Sequence, residues 1–377
     1  TEPRRLAAVA AATRMAELER SALGDSIGYR VKGESRAGPG TRIEVVTEGI
    51  LVRMIQDDPS LSGVGAVVFD EIHERSIFAE LCLALVSEAR ALRPDLCVLA
   101  MSATLDIEAL SAFLGAAVLR VPGASHPIET RYDPIADGPG FEAALAARAL
   151  ALSEETKGDV LVFLPGAAEI ARAERELAAL GSGSRGVELL SLQGSQSLAV
   201  QKRALAPDPA APRRIILATA VAETSLTVPR VSAVVDSGLA RLSRFHPRTG
   251  LNRLVTEREA RDRADQRRGR AGRLGPGICL RAWPAADALS ERTEPEISRS
   301  ELSGLALESA VWGARGRLGM AWLSPPPPAA WESACELLRG LGALDADGSA
   351  TARGRAMASL GIEPRLAALV LTGAALG

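Results

Sequence analysis

The chain has 377 residues, 47% apolar and 24% charged, with a formal net charge of −2. At roughly 150 residues per domain, that is enough for about two to three packed domains and excludes a disordered tail; no apolar run reaches the roughly 18 residues of a membrane helix, so no membrane is expected as a partner. The basic residues are 41 arginines and only 3 lysines, a skew that reads as a G+C-rich genome, so only local clustering of arginine is informative.

Short apolar runs at 64–69, 97–101, 160–164, 215–219 and 232–235 read as strands. They are continuous rather than alternating, as strands covered on both faces are. Helical patterns at 75–92, 141–155 and 167–180 lie between them. This alternation predicts an α/β fold with largely parallel sheets. One unit ends near Gly123; a linker over 122–140 leads to a second that runs to about Trp283. Beyond Pro284 the strand runs stop and the remainder reads as helical, with prolines 325–328 as an exposed linker between helices. Cys82, Cys97, Cys279 and Cys335, and His73, His126 and His246, are scattered, none at metal-ligand spacing. The thiols read as buried and structural, in a reduced cytoplasm.

Three segments carry chemistry. The run Val67-Val68-Phe69 ends in Asp70-Glu71-Ile72-His73. At the carboxyl edge of a parallel sheet, where ligands bind, one carboxylate can hold Mg²⁺ through water while its neighbour orients or deprotonates an attacking water. The plain alternative is a charge pair at a helix N-terminus. Met101-Ser102-Ala103-Thr104 ends the next strand and could equally cap the helix that follows. In the run 266–273, Gln266, Arg270 and Arg273 fall at i, i+4 and i+7, one face of a helix, where two guanidinium forks and an amide suit a triphosphate. Between Arg241 and Arg273 there are 11 arginines and 4 acidic residues, a true local cluster.

Taken in order, Asp70-Glu71-Ile72-His73, Ser102-Ala103-Thr104, the run 218–227 and the run 266–273 resemble the motifs of DEAH-box RNA helicases. Glu2-Pro3-Arg4-Arg5 and Thr47-Glu48-Gly49 resemble the family's RNA-contacting motifs, and the runs 160–166, 235–241, 247–251 and 341–345 resemble its bacterial HrpB-like branch. The resemblance implies two RecA-like parallel-sheet domains, the first incomplete, at 1–125 and 126–284. A winged-helix domain and the start of a helical bundle would occupy 285–377. It implies ATP and Mg²⁺ as cofactors, with Asp70 holding the metal through water, Glu71 activating the attacking water and His73 coupling the nucleotide to the second domain. Ser102, Thr104 and Ser225 would relay closure, and Gln266, Arg270 and Arg273 would meet the γ-phosphate. RNA would lie against Arg4, Arg5, Thr47 and Thr219, against Arg30 and Lys32 on a reaching loop, and against Arg248 on a hairpin whose Phe245 and His246 could stack on bases.

One family element is missing. No lysine stands in a Gly-x-x-x-x-Gly-Lys-Ser/Thr loop, since Lys32, Lys157 and Lys202 are followed by Gly, Gly and Arg. The expectation is a fragment cut at both ends and inactive by itself. A non-catalytic single-strand-binding scaffold and a DNA translocase on the same fold are the alternatives.

Overall fold

Three alanines on one helix face, Ala8, Ala12 and Ala16, start the chain's packing. They lie on α1 (Arg5–Glu19) and meet Ile27, Tyr29 and Val31 of β1 (Ile27–Val31). In this computed structural model, which describes all residues except 104–106, 122, 124–125, 206–211, 224–227, 247 and 377, β1 pairs antiparallel with β2 (Glu34–Arg36) and parallel with β3 (Ile43–Val46). A Cβ on Gly28 would fall 2.3 Å from the Arg36 carbonyl oxygen, so only glycine admits that hairpin. There follow α2 (Glu48–Asp57), β4 (Ala66–Phe69), α3 (Ile77–Leu92), β5 (Cys97–Ala100) and α4 (Ile107–Leu114). β4 and β5 pair in parallel, Ala66 opposite Cys97 through Phe69 opposite Ala100. Here the expectation of strands covered on both faces fails. Val67 and Phe69 are buried, but Val68 is 37% and Leu99 49% exposed. Cys97 shares that open face and is itself exposed, so only Cys82, Cys279 and Cys335 are buried thiols. A continuous apolar run records side-chain type, and the cover on each face depends on neighbours elsewhere in the chain.

The next stretch comprises β6 (Ile128–Tyr132), α5 (Phe141–Glu155), β7 (Asp159–Phe163), α6 (Ala167–Ala179), β8 (Val187–Leu192), α7 (Leu198–Leu205), β9 (Arg213–Ala218), β10 (Val231–Asp236), β11 (Leu239–His246), β12 (Leu251–Arg258), α8 (Arg261–Gly269) and β13 (Gly277–Arg281). Six strands form one parallel sheet in the order β6-β13-β10-β7-β9-β8. All five residues of β7 are buried, and α5 and α6 pack against the sheet through Leu145, Ala149, Ile170 and Leu177. β11 and β12 pair with each other as a hairpin. No single helix among the described residues is long and apolar enough to cross a membrane.

The chain ends in α9 (Glu296–Arg299), α10 (Ser303–Trp312), α11 (Pro328–Gly340), α12 (Ala352–Ser359) and α13 (Pro364–Leu376). Their core residues Leu305, Trp331, Leu338 and Met357 belong to the same hydrophobic cluster as Phe69 and Leu83. By contacts, the chain falls into two units: Thr1–Leu119 with Ser243–Arg253 and Glu294–Gly377, and Arg120–Leu242 with Leu254–Thr293. The hairpin tip is tied within the first unit. Arg244 pairs with Glu294 at 2.7 Å, Arg299 donates to the Ser243 carbonyl at 2.8 Å, and Arg365 donates to that of Gly250 at 3.0 Å. The proline run is not a plain exposed linker. Pro328 is the first residue of α11, where its missing N–H costs nothing, and Pro326 is buried, its carbonyl accepting from Arg317 at 3.1 Å.

Candidate active site

In the first unit, β4 delivers Asp70 and Glu71 at its carboxyl end. Glu71 is left-handed (φ 49°, ψ 34°), a 3₁₀ turn covers Ile72–Glu74, and Arg75 is left-handed again (φ 50°). Each non-glycine residue in that region costs about 1 kcal/mol or more, so the turn must be held by its surroundings. The Asp70 N–H donates to the Thr1 carbonyl at 3.1 Å and the Ile72 N–H to that of Met101 at 3.3 Å; the Glu71 N–H donates to Asp70 Oδ1 at 2.8 Å. Ser76 caps α3 by accepting from the Ala79 N–H.

His73 is buried, and its Nδ1 accepts from the Ala103 N–H at 3.4 Å. The other ring nitrogen, Nε2, lies 3.3 Å from Glu71 Oε2. The structure therefore brings Asp70, Glu71 and His73 together and joins them to the Ser102-Ala103 segment, where Ser102 is exposed. Thr104 lies outside the described residues, as does Ser225.

Two carboxylates were given no role of their own by the sequence reading. Glu2 is buried, and burial followed by the negative charge of Asp70 raises its pKa. Glu48, at the start of α2, accepts from Ser76 Oγ at 2.6 Å, and burial pushes it up to about 7. Each belongs to a motif recognised in the sequence, Glu2-Pro3-Arg4-Arg5 and Thr47-Glu48-Gly49, but its raised pKa comes from burial, and burial is tertiary. Among the described residues no three His, Cys, Asp or Glu side chains form a metal cage. A lone hard carboxylate such as Asp70 suits a Mg²⁺ ion that keeps most of its water shell.

The residues read as nucleic-acid contacts are dispersed. Arg4 pairs with Glu74 at 3.2 Å, Arg5 is exposed at the first turn of α1, and Thr47 is the extended residue before α2. Arg30 pairs with Glu44 at 2.8 Å and Lys32 donates to the Gly361 carbonyl at 3.2 Å. Arg248 is exposed at the hairpin tip. In the second unit, Thr219 is half-buried at the end of β9.

The run 266–273 is only partly α-helical. The α-helix stops at Gly269, and Arg270–Gly272 continues it as a 3₁₀ turn, with Gln266 half-buried, Arg270 buried and Arg273 exposed. Gly272 has a packing reason, since a Cβ there would fall 2.7 Å from the Ile128 side chain and 2.9 Å from the His126 carbonyl. Arg270 Nε donates to the Glu223 carbonyl at 2.8 Å. The intervening Arg267, which sequence reasoning passed over, is the hub. It is 1% exposed, lies 2.5 Å from Glu223 Oε1, 2.8 Å from Asp236 Oδ1 and 2.5 Å from Glu259 Oε2, and sits 5.0 Å above the Phe163 ring. Burial opposes its charge, but the three carboxylates outweigh burial and hold it charged. Arg263 pairs with the other oxygen of Glu223 at 2.6 Å. Two arginines thus face three acids, and burial raises the pKa of Glu259. Asp236 ends an apolar strand just as Asp70 does, which is the one signal in the sequence that could have marked this hub.

Comparison with known proteins places these observations. Residues 143–275 match the helicase conserved C-terminal domain. The chain is 46% identical over 376 residues to ATP-dependent RNA helicase HrpB of Escherichia coli strain K12, covering 98% of this chain and 46% of that one. It is 37% identical over 384 residues to ATP-dependent RNA helicase HrpA of the same organism, covering 98% and 29%. A crystal structure of the E. coli DEAH/RHA helicase HrpB superposes with a TM-score of 0.89 over 97% of this chain and 47% of that one; another, described as the E. coli DExH-box NTPase HrpB, gives 0.84 over 97% and 46%, both at 46% identity. The chain spans about half or less of the length of these relatives.

Proposed function

We propose that this chain belongs to the DEAH-box helicase family, on its HrpB-like side, as its likeness to HrpB supports, and that the full-length protein is an ATP-dependent RNA helicase whose hydrolytic turn and finger segment lie in these residues. The observation that carries the reading is the Asp70-Glu71-His73 turn, a strand-end carboxylate pair beside a buried imidazole. ATP with Mg²⁺ supplies, when bound, a phosphoryl group open to in-line attack by water. Asp70 is the residue that would hold the metal. Glu71 orients the attacking water and takes its proton, and His73 Nε2 fixes the carboxylate that does so. Gln266, Arg270 and Arg273 stabilise the charge that develops on the transferring group, with Arg267 and its three carboxylates fixing the backbone that carries them. Ser102, Thr104 and Ser225 pass domain closure to nucleic acid held along Arg4, Arg5, Arg30, Lys32, Thr47, Thr219 and Arg248. Free thiols throughout the chain suit a cytoplasmic setting.

The test is RNA-stimulated ATP hydrolysis by the full-length protein and its Glu71→Gln variant, with DNA of the same sequence in parallel. Turnover should fall by about 10³ or more in the variant while nucleotide binding persists, the scale on which single charge-placing groups act in phosphoryl transfer. Undiminished turnover sinks the role of Glu71. Stimulation by DNA alone moves the substrate from RNA to DNA.

A further inference from the structure

The turn that carries Asp70, Glu71 and His73 is gripped on its far side by residues from the helical C-terminal region of the same unit. Its exit residue, Arg75, is an arginine in a left-handed conformation (φ 50°), where glycine would be unstrained. Its side chain is committed. Nε and Nη2 donate to Glu80 Oε1 at 2.9 and 2.6 Å, and Nη2 also donates to Ser324 Oγ. The other oxygen of Glu80 accepts from the Ser324 N–H at 3.0 Å. The backbone is committed too. The Arg75 carbonyl accepts from the Glu296 N–H at 3.0 Å, and Glu296 Oε2 accepts from the Ile77 N–H at 3.1 Å, one residue into α3. Glu80 is 1% exposed, so its carboxylate depends on Arg75 for a partner.

Glu71 and Arg75 are the two left-handed hinges of one short turn, with His73 between them. The position of either hinge sets where the Glu71 carboxylate and His73 Nε2 fall. We propose that Arg75 is a positioning residue for hydrolysis, and that with Glu80, Ser324 and Glu296 it forms a brace through which the helical C-terminal region sets the geometry of Glu71 and His73. The proposal rests on the reading of this turn as the hydrolytic site. It makes the segments around 296 and 324 part of the catalytic apparatus, although they touch no reacting atom.

The experiment uses the full-length protein. Arg75→Gly keeps the left-handed backbone and removes the side chain. It should lower kcat for RNA-stimulated ATP hydrolysis by about tenfold, since misplacing a catalytic group by a fraction of an ångström is felt on that scale, and leave KM for ATP within about twofold. Amide hydrogen exchange over residues 70–76 should quicken. Ser324→Ala should lower kcat by about threefold by the same logic, and Ser324→Thr, which keeps the hydroxyl, should restore it. A folded Arg75→Gly variant with parental kcat and parental exchange overturns the brace. Where Arg75→Gly fails to fold, the serine pair decides, and equal kcat for Ser324→Ala, Ser324→Thr and the parent overturns it. Glu71→Gln is run alongside. If that variant keeps its turnover, the hydrolytic reading falls, and hydrogen exchange alone then decides whether the brace holds the turn.

Discussion

Two acidic strand ends, Asp70 after β4 and Asp236 in β10, sit in opposite kinds of surroundings. Asp70 leaves a two-stranded pair with one open face, and main-chain hydrogen bonds donated by Asp70 and Ile72 to the Thr1 and Met101 carbonyls hold its turn. Asp236 ends a strand inside a six-stranded sheet, and a fully buried arginine shared with Glu223 and Glu259 holds it. A chemical turn can tolerate exposure because backbone bonds fix it, whereas an ionic hub works only where water is kept out.

The largest effect that tests this contrast is Arg267→Ala. It leaves buried carboxylates without a cation and should cost about 3–5 kcal/mol, localised to the second unit. Denaturant unfolding followed by hydrogen exchange in β7 and β10 reads it; a loss below about 1 kcal/mol would mean the hub is no more than a surface pair. Next come the finger arginines, each expected to lower turnover by about 10³. Arg273→Ala should do so without loss of stability, because Arg273 is exposed. Arg270→Ala should lose both, because Arg270 is buried on the Glu223 carbonyl. Melting temperature beside kcat separates the two, and a stable Arg270→Ala variant breaks the distinction.

A third comparison concerns the sheets. Leu161 in β7 is fully buried and Leu99 in β5 is 49% exposed. Leu161→Ala should cost about 3 kcal/mol and Leu99→Ala less than about 1 kcal/mol. Similar losses would show that the open face is covered in solution. The smallest effect is one of pH. Glu48 is raised by burial from 4.5 to about 7. Its folded form keeps a proton that the unfolded chain releases, so stability falls as pH rises between those two values. Glu48→Gln should flatten that fall and melt higher than the parent above pH 7; an unchanged profile from pH 4 to 8 would remove Glu48 as its source.

Much of this was legible in the sequence. The runs at 160–164, 215–219 and 232–235 became β7, β9 and β10, and 141–155 became α5, because long apolar runs and helical periods are local properties. The juxtaposition of Asp70, Glu71 and His73 was legible too, since three residues within one turn cannot be far apart. The sequence did not reveal that Val68, Cys97 and Leu99 face outward, that Pro328 begins a helix while Pro326 is buried, or that the α-helix of Gln266 stops before Arg270. Nor did it single out Arg267, one of 11 arginines between 241 and 273. What the sequence determined by itself was the order of strands and helices and the residue types at the strand ends. Tertiary structure alone decided which of those residues lost water. Burial depends on what the rest of the chain brings to each face, and burial is what turns Arg267 into a hub, raises Glu2 and Glu48, and fastens Arg75 to Glu80 and Ser324.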